Sequence, residues 1–258
     1  MTATSATPTH ARSTEELARL VAELSPWQYR FELAPGVETM PVCPSHEYQL
    51  GRRRLLFGAL DGLVGPRGYT GLSCLDIACN AGAWSLELHA RGATDIDAFD
   101  ARPENVRKAE LVREVRGVPA EHIRYRVGSV YELSREYAPH DLTLALGVFY
   151  HLASPMELAR QLFEVTNWLA VVDSDVIPEP GNFLRYMRED ASKQHNGVED
   201  IILKPTAAAL VQMLHDAGFG SVSRVTIPAW APERYRKGER VLLLATRHGA
   251  RDISGASF

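Results

Sequence analysis

Lysine is scarce in this chain. Of 28 basic side chains in 258 residues only four are lysine (Lys108, Lys193, Lys204 and Lys237), and 32 acidic groups outweigh the bases, leaving a net charge of −4. A protein that holds nucleic acid through bulk charge needs a surplus of cations. The balance argues against such a binder, although clusters persist at Arg52-Arg53-Arg54 and from Arg234 to Arg240. Cysteine is scarcer still: Cys43, Cys74 and Cys79 are odd in number and show no CxxC spacing. That excludes a disulfide scaffold and a cysteine-only zinc site. Cys74 and Cys79 flank an apolar strand pattern and read as buried, inert thiols. No uncharged run approaches the roughly 18–20 apolar residues of a membrane-spanning helix. Met1 to Thr9 lacks the apolar stretch of a secretory signal, so a cytoplasmic protein is expected. With 45% hydrophobic residues, disorder is excluded for most of the chain. The length suits one large α/β domain, or a domain with an appendage.

What is present falls into three parts: a flexible head (1–12), an N-terminal cap (13–65) and a core (66–258). Ser13 and Glu16 form a capping box ahead of Leu17, Leu20, Val21 and Leu24 at helical spacing. Trp27 to Leu33 alternates aromatic and polar residues and predicts a strand, turned at Ala34-Pro35-Gly36 and partnered by Val37 to Val42. A second helix follows Ser45. From residue 71 the rhythm becomes strand, helix, strand, helix, with strands at 72–78, 96–100, 123–127, 142–146 and 168–172 and helices at 83–91, 103–116 and 155–165. Such alternation implies a parallel sheet covered on both faces. A helix at 205–217, then strands at 221–227 and 240–246 around a polar loop at 228–238, append an antiparallel edge.

Leu75-Asp76-Ile77-Ala78-Cys79-Asn80-Ala81-Gly82 runs from an apolar strand through small residues into a helix. Ligands of open α/β sheets bind at such carboxyl ends. The G-x-G-x-x-G of a dinucleotide fold is missing, which disfavours an NAD(P)-dependent oxidoreductase. The early acid Asp76 suits a cationic ligand better than a pyrophosphate. Asp100, with Ala101 beside it, ends the next strand and is placed to accept both hydroxyls of a ribose. Ser129 and Val130 follow the third strand and Leu146-Gly147-Val148-Phe149-Tyr150-His151 the fourth. Four ordered strand ends of this kind are far less probable by chance than any one.

These residues carry a resemblance. From Leu75 to Ile177 the chain resembles a class I S-adenosylmethionine-dependent methyltransferase. That implies a Rossmann-like seven-stranded sheet of order 3-2-1-4-5-7-6, with strand 7 antiparallel and helices on both faces. Within the superfamily, D-I-A-C-N-A-G, G-V-F-Y-H-L-A-S-P and W-Q-Y-R-F-E-L-A-P-G-V-E-T are similar to the tRNA wobble-uridine methyltransferase-like (mo5U34/cmo5U) group. The resemblance implies S-adenosylmethionine as cofactor. Asp76, Ala78, Asn80 and Gly82 would form the methionine-side loop, Asp100 would bind the ribose with Ala101 beside it in the cofactor site, Ser129 and Val130 would flank the adenine, and Leu146 and Gly147 would line the sulfonium side. Ala78 replaces the usual first glycine, so its backbone is expected to avoid positive φ. Leu152-Ala153 stand where the carboxymethyl-transferring type has a basic pair, which favours the ordinary cofactor over its carboxy derivative.

Candidate chemistry follows. His151 is read either as a general base beside the reacting methyl or as a group shaping its own loop. Tyr150 either orients a substrate or fills the cleft. Trp27 and Tyr29 are substrate-contact candidates, with a core role open for two of the three aromatics Trp27, Tyr29 and Phe31. The polar segment around 179–204, with Arg185, His195 and Asn196, is the second such candidate, as a substrate-recognition insertion. The Arg52–Arg54 run is expected on a helix surface. Asp173 and Asp175 are not taken as metal ligands, and no metal is assigned. The expected function is methylation of a small-molecule acceptor at oxygen or carbon, in natural-product tailoring. A tRNA wobble-uridine methyltransferase is the alternative, a catalytically silent scaffold a further one, and a homodimer is compatible.

Overall fold

The computed structural model describes residues 12–41, 45–194 and 196–247; the predicted flexible head and Cys43 thus fall almost wholly or wholly outside the described residues. The cap begins with helix α1 (Thr14–Glu23), whose N-cap Ser13 accepts from the Glu16 amide, as the capping box requires. The aromatic segment pairs less than its alternation predicts. Only β1 (Glu32–Ala34) and β2 (Val37–Glu38) form a ladder. Ahead of them the Thr39 hydroxyl replaces the ladder, accepting from the Phe31 amide and donating to the Tyr29 carbonyl, each at 2.7 Å. Helix α2 (His46–Val64) is capped by Ser45 and ends at Gly65.

The core alternates as expected. Strand β3 (Ser73–Ile77) leads to α3 (Ala83–Ala90), β4 (Asp95–Asp100) to α4 (Pro103–Val115), and β5 (Ile123–Val127) to the short α5 (Leu133–Glu136). Strand β6 (His140–Leu146) ends in a 3-10 turn at Phe149–His151 and helix α6 (Pro155–Glu164). The long β7 (Thr166–Asp175) is followed by an unpredicted hairpin, β8 (Leu184–Arg188) with β9 (Ile201–Pro205). Then come α7 (Ala207–Ala217), β10 (Ser221–Arg224), α8 (Glu233–Arg236) and β11 (Arg240–Thr246). The stretch expected to be a polar loop therefore carries a helical turn, and Tyr235 in it is buried.

The main sheet has the order β5-β4-β3-β6-β7-β11-β10, and β11 runs antiparallel to both neighbours. This is the 3-2-1-4-5-7-6 arrangement. Its strands alternate between two apolar clusters, as a pleat buried on both faces must. Cys74, Leu169, Val171 and Leu242 point toward α3, α4 and the cap, whereas Leu75, Ala170, Val172 and Leu243 point toward α6 and α7. Leu17, Trp27 and Phe57 of the cap belong to the first cluster. Cys74 and Cys79 are fully buried, and burial raises both thiols far from reactivity. No helix among the described residues is long and apolar enough to cross a membrane.

Candidate active site

A cleft of about 220 Å³ opens at the carboxyl ends of β3, β4 and β6. Ala78, Asn80, Asp100, Ala101, Ser129, Val130, Leu146 and Gly147 all line it. The loop after β3 reaches this position through a departure from the sequence expectation. Ala78 lies at φ 56°, not in the negative region, and Asn80 at φ 50°. Left-handed backbone costs a residue with a Cβ roughly 1–2 kcal/mol. Asn80 offsets part of this by accepting from the Ala81 amide at 2.8 Å. The loop is tied to β4 through the Cys79 amide, which donates to the Phe99 carbonyl, and the Asn80 amide, which donates to Asp100 Oδ2 at 2.9 Å. Asp100 Oδ1 accepts from the Arg102 amide and from Asn105 Nδ2. The carboxylate is thus fixed at the rim with Oδ2 engaged by one donor, leaving acceptor capacity toward the cleft.

Two residues of the loop stand behind it. Asp76 does not line the cleft: β3 directs its side chain toward α3, where Oδ2 accepts from Ser85 Oγ at 2.6 Å and Oδ1 has no partner. Burial pushes its pKa up to about 7. Gly82, at φ 74°, does not line it either. A Cβ there would lie 2.2 Å from Tyr125 Oη and 3.1 Å from Ala109 Cβ, so glycine sets the approach of α3 to α4 and β5.

The substrate candidates divide. Tyr29 lines the cleft and accepts from Trp84 Nε1 at 3.0 Å; its phenol is pushed by burial up to about 12. Trp27 does not reach the cleft: its Nε1 donates to the Val21 carbonyl and Lys108 sits over its ring, so it is a core residue. Arg185 is also displaced, exposed on β8 and paired with Glu179. Asn196 lines the cleft; His195 lies outside the described residues.

The segment between β8 and β9 folds across the cleft and is fastened by residues the sequence reading did not connect. Arg102 Nη2 donates to the carbonyls of Ala191 (2.7 Å) and Gly197 (2.9 Å). Glu199 accepts from Tyr131 Oη and from the Ala153 amide. Glu189 Oε2 lies 2.6 Å from His151 Nδ1. The Gly197 amide lies within reach of both that oxygen and Nδ1. A 2.6 Å contact to a carboxylate requires the proton on Nδ1, so Gly197 donates to Glu189 and the ring presents Nε2 as its remaining nitrogen. The Tyr150 and His151 rings meet in a tilted contact, with centroids 4.1 Å apart and planes at 44°.

Below Tyr150 lies a buried ion cluster. Arg52, expected on a helix surface, is instead buried on α2 and binds Asp173 through Nε and Nη2. Arg240 Nε and Nη2 bind the two oxygens of the same carboxylate, and Arg240 Nη1 binds Asp175. Tyr235 Oη also donates to Asp173. Burial opposes the Asp173 charge, but Arg240 and Arg52 hold its carboxyl well below the usual range. Only Arg53 and Arg54 of the run are exposed. Among the described residues no three His, Cys, Asp or Glu side chains gather as a metal site.

A methyltransferase-domain family profile matches residues 10–223, more than half of the chain. The chain is 30% identical to a ubiquinone biosynthesis O-methyltransferase of Maricaulis maris over 142 residues, 55% of this chain and 51% of the relative. It is 24% identical to a tRNA U34 carboxymethyltransferase of Wolinella succinogenes over 166 residues, 64% of this chain and 57% of the relative. It therefore spans about half the length of these relatives. Among solved structures, the N-terminal domain of EvdMO1 with SAH bound superposes with a TM-score of 0.73 at 22% identity, covering 93% of this chain and all of that one. The [4+2]-cyclase SpnF superposes at 0.56 with 15% identity, covering 92% and 97%. These two likenesses establish the fold. With the sheet order and the strand-end cleft, the profile match places the chain in the methyltransferase-domain family, with the class I S-adenosylmethionine-dependent methyltransferase fold.

Proposed function

We propose that this chain transfers the methyl group of S-adenosylmethionine to a hydroxyl oxygen of a small molecule, in natural-product tailoring. The observation that carries the reading is Asp100, held at the end of β4 by the Asn80 amide on one oxygen and by Arg102 and Asn105 on the other. The donor set suits an adenosyl cofactor. Asp100 offers acceptor capacity to ribose hydroxyls, Val130 and Ala101 offer apolar surface to the adenine, and the left-handed turns at Ala78 and Asn80 present backbone to the methionine end. The names of two neighbours support a small acceptor: a ubiquinone biosynthesis O-methyltransferase in sequence, and in structure the EvdMO1 domain crystallised in the presence of SAH and D-fucose.

When bound, S-adenosylmethionine supplies an electrophilic methyl on a sulfonium. The protein's part is to align an acceptor oxygen, exclude water and remove a proton. His151 lines the cleft with Nδ1 committed to Glu189, so Nε2 is the nitrogen that would take the hydroxyl proton of an acceptor held there. Glu189 balances the imidazolium that results. The net charge of −4 weighs against the tRNA alternative.

Calorimetric titration with S-adenosylhomocysteine and with NAD tests the reading. Micromolar binding of the former, weakened at least tenfold by Asp100→Ala, is the expected result. Binding of NAD without S-adenosylhomocysteine overturns it.

A further inference from the structure

A second cavity, of about 420 Å³, lies between the cap and helix α3. Its size is that of a small-molecule site, roughly 300–1,000 Å³. Two helical stripes face each other across it: His46, Gln49, Leu50 and Arg53 on α2, and Ala83, Leu86, Glu87 and Ala90 on α3. Each follows the i, i+3, i+4, i+7 spacing that gathers residues on one helix face. Stripes matched in this way ordinarily interdigitate. Here the α3 stripe has alanine at both ends, too short to fill the space, and the helices are bridged by Arg53 and Glu87 at 2.8 Å. Phe31, Trp84 and Val118 complete an apolar wall. Tyr29 is the one residue this lining shares with the cleft. Trp84 Nε1 donates to its hydroxyl, with the two rings edge-on at 5.9 Å, so the two spaces are distinct.

Two polar features set the chemistry of an occupant. Gln49 is buried, and its Oε1 accepts from Arg52 Nη1 at 3.0 Å, which fixes the orientation of the amide. Its Nε2 then has no partner among the described residues. Buried amide donors are rarely left unpaired, so an acceptor atom is wanted at this wall. The lining also carries more positive than negative charge, with Arg30, Arg53 and Arg116 against Glu87. Glu87 already accepts from Arg53 and Arg91, and Arg30 is paired with Glu38. Arg116 is exposed, and its guanidinium makes no ion pair among the described residues.

We propose that this cavity is a second ligand site, separate from the cleft, and that it takes a planar aromatic anion. The ring packs against Phe31 and Trp84, an acceptor oxygen meets the Gln49 amide, and the negative charge is turned to Arg116. Aromatic walls reward a flat apolar body, and a charge-assisted bond from a guanidinium discriminates an acid from its neutral twin. The assignment does not depend on methyl transfer in the cleft.

The test is a 19F NMR titration of the protein with 4-(trifluoromethyl)benzoate and with its neutral isostere 4-(trifluoromethyl)benzamide, with and without saturating S-adenosylhomocysteine. Two variants probe the cavity at exposed positions: Arg116→Gln removes the free cation, and Leu50→Glu adds an anion to the wall. Benzoate binding at least fivefold tighter than the amide, with that preference reduced at least threefold by either variant, supports the site. A shift of the Trp84 indole N–H signal on adding the benzoate places the probe against that wall. Absence of binding at millimolar probe overturns the proposal, as does equal binding of the two probes. A preference that both variants leave unchanged also overturns it, because the anion would then sit elsewhere. Displacement of the benzoate by S-adenosylhomocysteine overturns it as well, because the probe would then occupy the cleft. Circular dichroism verifies that both variants are folded.

Discussion

Replacing Asp76 by asparagine isolates the energetic consequence of burying a lone acid behind the cofactor loop. In the folded chain its pKa is raised from the ordinary 3.8 to about 7, chiefly by burial, with the Ser85 hydroxyl pulling in the opposite direction. The folded state therefore binds more protons than the unfolded one between those values, and stability falls as pH rises through that window. The group's favourable contribution is complete below about pH 4 and lost above about pH 7. Three pH units at roughly 1.4 kcal/mol each amount to about 4 kcal/mol. Asparagine cannot ionise, and its amide oxygen still accepts from Ser85 Oγ. The difference in unfolding free energy between Asp76→Asn and the native chain should thus shift in favour of asparagine by about 4 kcal/mol from pH 4 to pH 8. Urea unfolding of both proteins at half-unit intervals measures this, and groups common to both that do not sense the Asp76 charge, such as Lys108, cancel in the difference. A difference constant across that range refutes the assignment of a buried, unpaired carboxyl.

Three further outcomes are expected. Ala78→Gly removes left-handed strain of about 1–2 kcal/mol at the loss of about 0.5–1 kcal/mol in chain entropy, so denaturation should show a small net gain in stability; a loss above 1 kcal/mol contradicts the loop geometry. Gly82→Ala forces a Cβ against Tyr125 and should destabilise by at least about 2 kcal/mol, with Tyr125→Phe recovering part of that; an unchanged midpoint contradicts the packing. 15N NMR of His151 at pH 8 should show the proton on Nδ1, facing Glu189, and the Nε2-protonated form would remove His151 as the base.

The parts of this fold visible in the sequence are those whose signals are local. Strands β5 and β11 fall on their predicted bounds because alternation and flanking turns mark them within a few residues. The loop after β3 was legible as a strand-to-helix turn at the carboxyl edge of the sheet, but its backbone was not. Ala78 adopts the left-handed form because loop contacts from Cys79 and Asn80 to β4 outweigh its intrinsic preference. The β8–β9 hairpin is not legible because its strands lie 12 residues apart, too far for the Asn196-Gly197 pair between them to mark a two-residue turn. Arg52 was misplaced on the surface since its partner Asp173 lies 121 residues away, and helical periodicity carries no information about a distant charge. Glu189, and the partners of Arg240 at the end of its basic cluster, are not legible for the same reason. The charge of each is meaningful only once the sheet brings it beside His151 or Asp173.

The Arg52–Asp173 contact bears on how such a protein is re-engineered. By chain order the first 65 residues look detachable, a module to be exchanged so that the same core accepts another substrate. Yet Arg52 is the cap's half of a buried ion pair whose other half sits deep in β7. Cutting the cap away leaves Asp173 short of one of its two cations in a low-dielectric setting, a loss of about 3–5 kcal/mol when a buried pair is broken. A graft that omits an arginine at this position therefore inherits an electrostatic debt in the core before any new specificity is gained. A chimera junction at residue 65 should carry Arg52 with it, or replace Asp173 at the same time.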